Sequence, residues 1–158
     1  MEAQLQIRRV EDCLEWLEQS AEDYTASQSI SWLIDQVGML CKSLAFVNNQ
    51  MAVAKKQLNK QKTAAYNNLV LSSEANKEYF SPMLAKDYIS AKIEQAQYNF
   101  DVCERCSRTL FHTIEALRTC ISALKIECQT SSYQSNVGGY NTSIAAYDPE
   151  VNATIVHG

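Results

Sequence analysis

The chain has 158 residues and a net charge of −4, with only four glycines and two prolines. That length suits one domain, and so few turn residues favour long helices over a turn-rich β fold. No run of about 18 apolar residues is present, and Met1-Glu2-Ala3-Gln4 lacks the basic and apolar regions of a signal peptide. A cytoplasmic protein without a membrane span is therefore expected.

Charge is segregated along the chain. Residues 1–25 carry seven carboxylates (Glu2, Glu11, Asp12, Glu15, Glu18, Glu22, Asp23) against Arg8 and Arg9. Residues 42–92 carry eight lysines (Lys42, Lys55, Lys56, Lys60, Lys62, Lys77, Lys86, Lys92) against Glu74, Glu78 and Asp87. Such separation makes the lysine-rich part a candidate anion-binding surface despite the acidic total.

A first, short helix is expected over about residues 8–23, with Val10, Leu14, Leu17, Ala21 and Tyr24 as its apolar stripe. Its carboxylates read as a solvated face, or alternatively as a protein-docking arm or a mimic of nucleic-acid charge. Thr25-Ala-Ser-Gln28 has the form of a capping box and starts a second helix, expected over 26–66. The seam of that helix is Ala26, Ile30, Leu33, Val37, Leu40, Leu44, Val47, Met51, Ala54 and Leu58, in alternating steps of four and three. Asn67-Asn68 reads as its end.

Ser81 and Pro82 suit the cap and first position of a third helix, expected over 82–128. Its seam runs Ile89, Ile93, Ala96, Phe100, Cys103, Ser107, Leu110, Ile114, Leu117, Ile121, Leu124 and Cys128, more than five heptads. The fold class that follows is all-α. Its expected form is a long antiparallel coiled-coil-like helical hairpin with a short N-terminal helix. Wide apolar faces, with Trp32, Phe46, Tyr98, Phe111 and Ile126 off the main stripes, imply a homo-oligomer. Residues 1–128 would form the helical domain. Residues 129–158, rich in Ser, Asn, Gly and Thr and containing Gly138-Gly139 and Asp148-Pro149, read as a flexible polar tail or a short β-hairpin. The sequons at Asn141 and Asn152 read as chance matches.

No catalytic constellation stands out: there is no P-loop, G-x-G-x-x-G, G-x-S-x-G or H-E-x-x-H, and His112 and His157 are far apart. No catalytic residue, cofactor or metal is assigned, and an enzyme is not expected. The six cysteines read as reduced thiols. Cys103-Glu-Arg-Cys106 matches C-x-x-C, but a zinc site would need two further ligands, for which Cys41 and His112 are the candidates. The preferred reading is core thiols.

The basic run is the feature that carries a function. Lys55, Lys56, Lys60 and Lys62 would make a broad flank beside the Ala54/Leu58 seam, and Tyr66, Tyr79 and Phe80 would stack exposed bases, with Lys77 nearby. Here the chain resembles the UvsY-type recombination mediator proteins of large tailed phages, whose K-K-x-x-x-K-x-[KR] run ending near a Tyr is similar to Lys55-Lys56, Lys60, Lys62 and Tyr66. Leu84-Ala-Lys-Asp-Tyr-Ile and Tyr98-Asn-Phe…Cys103…Ala116-Leu117 look like the long C-terminal helix of that family, and the resemblance spans about residues 23–127. It implies a ring-like homo-oligomer that binds single-stranded DNA through Lys60 and Lys62. It also implies that the protein helps load a recombinase onto DNA covered by single-strand-binding protein, in the host cytoplasm if phage-encoded. The alternative is a helical interaction, adaptor or anti-defence protein without DNA binding. A third option is a sponge for anionic nucleotides at the same lysines.

Overall fold

A computed structural model describes residues 4–77 and 79–144, with side chains described to residue 135. The chain is all-α: α1 spans Ile7–Ala26, α2 Ile30–Asn76 and α3 Pro82–Ile144. Two compact units divide it, residues 1–118 and 119–158.

In the first unit the three helices share one core. Asn48 of α2 meets Ser107 of α3, with the Ser107 hydroxyl donating to Asn48 Oδ1 at 2.6 Å. Further along, Leu58 and Ala65 of α2 cluster with Ile93 and Ala96 of α3, flanked by Ile89 and Phe100. Rising numbers on α2 meet falling numbers on α3, so the two helices run antiparallel. α1 runs antiparallel to α2 as well: Gln6 bonds Gln50, Arg9 lies 4.6 Å over the Phe46 ring, and Tyr24 lies 5.9 Å from Trp32.

Why α2 buries what it does follows from having two neighbours. Every seventh residue (Leu33, Leu40, Val47, Ala54) is at most 1 % exposed. The companion seam positions Ile30, Val37, Leu44 and Met51 are only half-buried. With α1 on one side and α3 on the other, the buried stripe centres between them, and the companion set turns toward an uncovered groove. Leu44, Asn48 and Met51 line that groove with Ser107 and Phe111 of α3. α1 contributes Val10, Leu17 and Tyr24, also seven apart. The Tyr24 hydroxyl is buried without a hydrogen-bond partner, and burial raises its pKa.

Three boundaries differ from the sequence expectation. The capping box at Thr25 does not form: Thr25 lies in α1 and its hydroxyl bonds the Glu22 carbonyl at 2.9 Å, while Ser29 caps α2 by accepting from the Trp32 N–H. Ser29, three residues before Trp32, satisfies an orphan donor of the first turn instead, so the helix starts later. α2 does not end at Asn67-Asn68 but continues to Asn76, because Ala65 and Leu69 stay buried and the two asparagines fall on the exposed face. It stops at Lys77, which takes the left-handed conformation at φ 51°. Ser81 caps α3 through the Leu84 N–H at 3.3 Å.

The third difference concerns the second unit. Residues 129–144 are helical, so the flexible tail or β-hairpin expected from residue 129 is corrected to a continued α3. Ile121 is buried and Leu124 half-buried, and residues 125–135 are exposed. Thr130 and Ser132 bond back to the carbonyls of Ile126 and Cys128 at 2.9 and 3.0 Å, so hydroxyls that favour turns elsewhere here bond within the helix. Asp148-Pro149, Asn152 and His157 lie outside the described residues. An 18-residue window of α2 reaches a mean hydropathy of 1.3 with 17 % of it buried, enough to cross a membrane by length and composition alone, a test that core helices of soluble proteins also pass. Ile34 and Met39, 49 % and 51 % exposed, are part of this apolar surface, and Asp35 and Lys42 are the only charges between Ile30 and Ala54.

Gly38 sits inside α2, and a Cβ added there would meet nothing within 4 Å. Gly38→Ala is expected to stabilise the fold by about 0.5–1 kcal/mol, through the helix propensity difference. Gln50 is 3 % exposed and its side-chain oxygen accepts the Gln6 N–H at 2.6 Å, tying the start of α1 to α2. Gln50→Ala is expected to cost about 1–2 kcal/mol in urea unfolding and to speed amide exchange in the first turn of α1.

Candidate nucleic-acid interface

The second half of α2 carries the candidate residues. Ala54, Leu58, Ala65 and Leu69 face the core, which forces the intervening positions outward. Lys55, Lys56, Lys60 and Lys62 are all exposed, and Tyr66 is 58 % exposed. Among the described residues, Lys55, Lys60 and Lys62 have no carboxylate within ion-pair distance: the ion pairs run from Arg105, Arg108 and Arg118 to Glu18, Glu104 and Glu115.

The lysines do not form one flank. At about 100° per residue, Lys55 and Lys62 lie ~20° apart and share a side with Tyr66, whereas Lys56 and Lys60 lie ~40° apart on another side. Lys60 and Lys62, the pair singled out by the family resemblance, point ~160° apart around the helix. The remaining candidates are spread along the molecule. Lys77 ends α2 about 33 Å from Lys55 along the helix axis. In the α2–α3 connection, Tyr79 is 88 % exposed and Phe80 half-buried. Two lysine rows with separate aromatic neighbours therefore replace the single patch expected.

A residue outside the expected set joins the Lys60 side. Lys92 of α3 lines a shallow groove with Gln61, Ala64, Ala65 and Asn68 of α2, and its ammonium lies 5.6 Å over the Tyr88 ring. The signal was present in the sequence: Lys92 immediately precedes the seam residue Ile93 and so flanks the helix contact. This groove continues the side of the α2–α3 pair that α1 covers further along, where Gln6 meets Gln50.

The acidic helix is partly committed to α3. The Tyr98 hydroxyl donates to Glu11 at 3.0 Å, and that bond raises its pKa. Arg105 pairs with Glu18 at 3.3 Å, and both side chains are exposed. Asp12, Glu22 and Asp23 stay outward.

The cysteines are arranged differently from the zinc possibility. Cys41 is exposed, and His112 is exposed with its ring edge-on to Phe111. Neither joins Cys103 and Cys106, and no group of three or more metal-binding side chains converges among the described residues. Cys13 of α1 lies nearest to Cys106 of the two. The neighbouring Cys106 thiol lowers the Cys13 pKa to about 7, Cys13 and burial in turn raise that of Cys106, and burial raises Cys103. Cys13 was missed because it lies on a different helix, off that helix's heptad stripe. Alkylation by iodoacetamide under native conditions is expected to rise for Cys13 through about pH 7, well below an ordinary thiol. Cys103 and Cys106, both 0 % exposed, should react only on unfolding, as read by mass spectrometry at each site.

No family model matches the chain, and no curated protein or solved structure is detectably similar to it.

Proposed function

We propose that the protein binds single-stranded DNA through the lysine rows of α2 and assists the loading of a recombinase. In this reading α2 and α3 act as a coiled-coil-like hairpin that assembles into a homo-oligomer, possessing neither catalytic site nor cofactor. The observation that carries it is the set of exposed lysines Lys55, Lys60 and Lys62, which have no ion-pair partner among the described residues, supported by Lys92 at the α2–α3 groove. Uncompensated lysines on a rigid helix contact phosphates without reading bases, and Tyr66 offers a stacking face beside one row. The similarity of the run to UvsY-type mediators supplies the recombination role.

Assembly follows from the geometry of this reading. Two rows on different sides of one helix cannot both track a single strand within one copy. Several copies arranged in a ring would present repeated rows to it, and weak contacts then add through effective concentration. The outward carboxylates of α1 would serve as the contact for the recombinase or the single-strand-binding protein.

A specific observation favours the second reading, a helical adaptor without DNA affinity. At the α2–α3 connection Leu71, Met83 and Leu84 are 64 %, 75 % and 58 % exposed, a surface suited to protein contact.

Fluorescence anisotropy of labelled oligo-dT separates the two. DNA binding predicts micromolar or tighter affinity at about 50 mM salt that falls steeply by about 200 mM. Lys60→Ala with Lys62→Ala should weaken binding at unchanged helix content and reduce the salt slope by about 1.4. Unchanged affinity in the double variant would sink the lysine assignment, and no binding at the lower salt would leave the adaptor.

A further inference from the structure

α1 covers one side of the α2–α3 pair and leaves the other open. On α3 the residues that meet α1 are Tyr98 and Arg105, whereas Glu104, Ser107, Arg108 and Phe111 line the open groove with Leu44 and Met51 of α2. Ser107 bonds Asn48, so one turn further along the antiparallel pair Phe111 lies level with Leu44 and Ala45. Both helices are patterned about that level.

On α3, Glu104, Phe111 and Arg118 are seven apart and form one row, with Arg108 and Glu115 in the row beside it. Phe111 is 53 % exposed, and the four charged side chains are 49–67 % exposed. Reversed end for end about Phe111, this surface meets itself with opposite charge. Glu104 exchanges with Arg118, and Arg108 comes within one residue of Glu115. On α2, Gly38, Ala45 and Ala52 are exposed, seven apart, and centred on the same turn. Side chains this small let a second helix approach closely.

We propose that this open face docks on the same face of a second copy, across a two-fold axis at the level of Ala45 and Phe111. The inference deepens the homo-oligomer of the DNA-binding reading by naming its contact. Each α3 lies antiparallel to the partner's α3, and each α2 antiparallel to the partner's α2. The contact is isologous, so every pairing occurs twice or sits on the axis. Glu104 meets the partner's Arg118, Arg108 meets the partner's Glu115, and the two Phe111 rings close over the axis beside the two Ala45 methyls.

Charge selects both the occupant and its direction. The other two-fold that brings these faces together runs along the helices and sets α3 on the partner's α2. Glu104 and Arg118 would then lie over the partner's Met51 and Val37, with no opposite charge to meet. The antiparallel arrangement leaves neither sign uncompensated, and like charges oppose the alternative registers. It also covers part of the apolar surface of α2, which the single copy leaves largely in water.

The test is the mass of the full-length protein in solution at micromolar concentration, by sedimentation equilibrium. The expected mass is an even multiple of 17.8 kDa. Ala45→Arg places two guanidinium groups on the axis and should lower that mass, weakening the contact about 30-fold or more. Helix content should not change, because Ala45 is exposed in each copy. Glu104→Arg or Arg118→Glu alone should weaken association about tenfold, and the double variant should restore it. Positions 104 and 118 lie about 21 Å apart along α3, so this rescue can pass only between copies, and it decides the matter even if Ala45→Arg fails to fold. A wild-type monomer, an odd-numbered assembly, or no rescue by the double variant would overturn the proposal. An assembly that a folded Ala45→Arg variant leaves intact would overturn this contact while the homo-oligomer stands on another face. An assembly lowered by Ala45→Arg that has no affinity for oligo-dT would support the contact and remove the DNA-binding reading instead.

Discussion

The structure depends on the burial of one narrow stripe along two very long helices. A helix of 47 residues in water gains little from its own hydrogen bonds, and most of its stability has to come from packing one apolar face. On α2 that face is Leu33, Leu40, Val47, Ala54 and Leu58, all at most 4 % exposed. Their counterparts on α3 include Leu110, Cys103 and Ala96. The seven-residue period keeps such stripes aligned over many turns, which is why α2 and α3 run antiparallel side by side. Much of the surface off the stripe is left to solvent, including the lysines.

α1 changes the character of the packing where it is present. Along its length the core of α2 is built from Leu and Val, with Phe46, Trp32 and Gln50 turned toward the third helix. Beyond Gln50 α1 is absent, and the buried positions shrink to Ala54, Ala65 and Ala96 among Leu58 and Ile93. Small residues let two helices approach closely with less to bury. That thinner pair is where the exposed lysines and the Lys92 groove lie, so the charged surface falls where two helices rather than three carry the core.

The stripe was legible because it is periodic and repeated. Ile93, Ala96, Cys103, Leu110, Ile114, Leu117 and Ile121 fall on the expected seam of α3 and are buried. What periodicity does not encode is which neighbours a helix has. A third helix beside α2 splits its seam into a buried set and a half-buried set, and nothing in the α2 sequence announces this. Ends were read less well, since Asn67-Asn68 and the polar run after Cys128 carry turn-forming residues that a helix tolerates on an exposed face. Cys13 escaped because a contact between helices is a property of tertiary register. The candidate lysines were found by composition, but their sides had to be read from the helix turn by turn.

The same turn-by-turn reading limits what a single copy can do with a polyanion. A strand lying along the Lys55, Lys62 and Tyr66 row leaves Lys56 and Lys60 facing elsewhere, and a strand on the Lys60 and Lys92 side leaves Tyr66 unused. Each row offers two lysines, so its electrostatic attraction is modest at cellular salt. Affinity in the DNA-binding reading is therefore a property of the assembly, and it should fall off much faster than linearly as copies are lost. In that reading a strand following a row toward α1 meets Arg8 and Arg9 first, because the start of α1 packs beside Gln50 and Phe46 and its carboxylates lie further along.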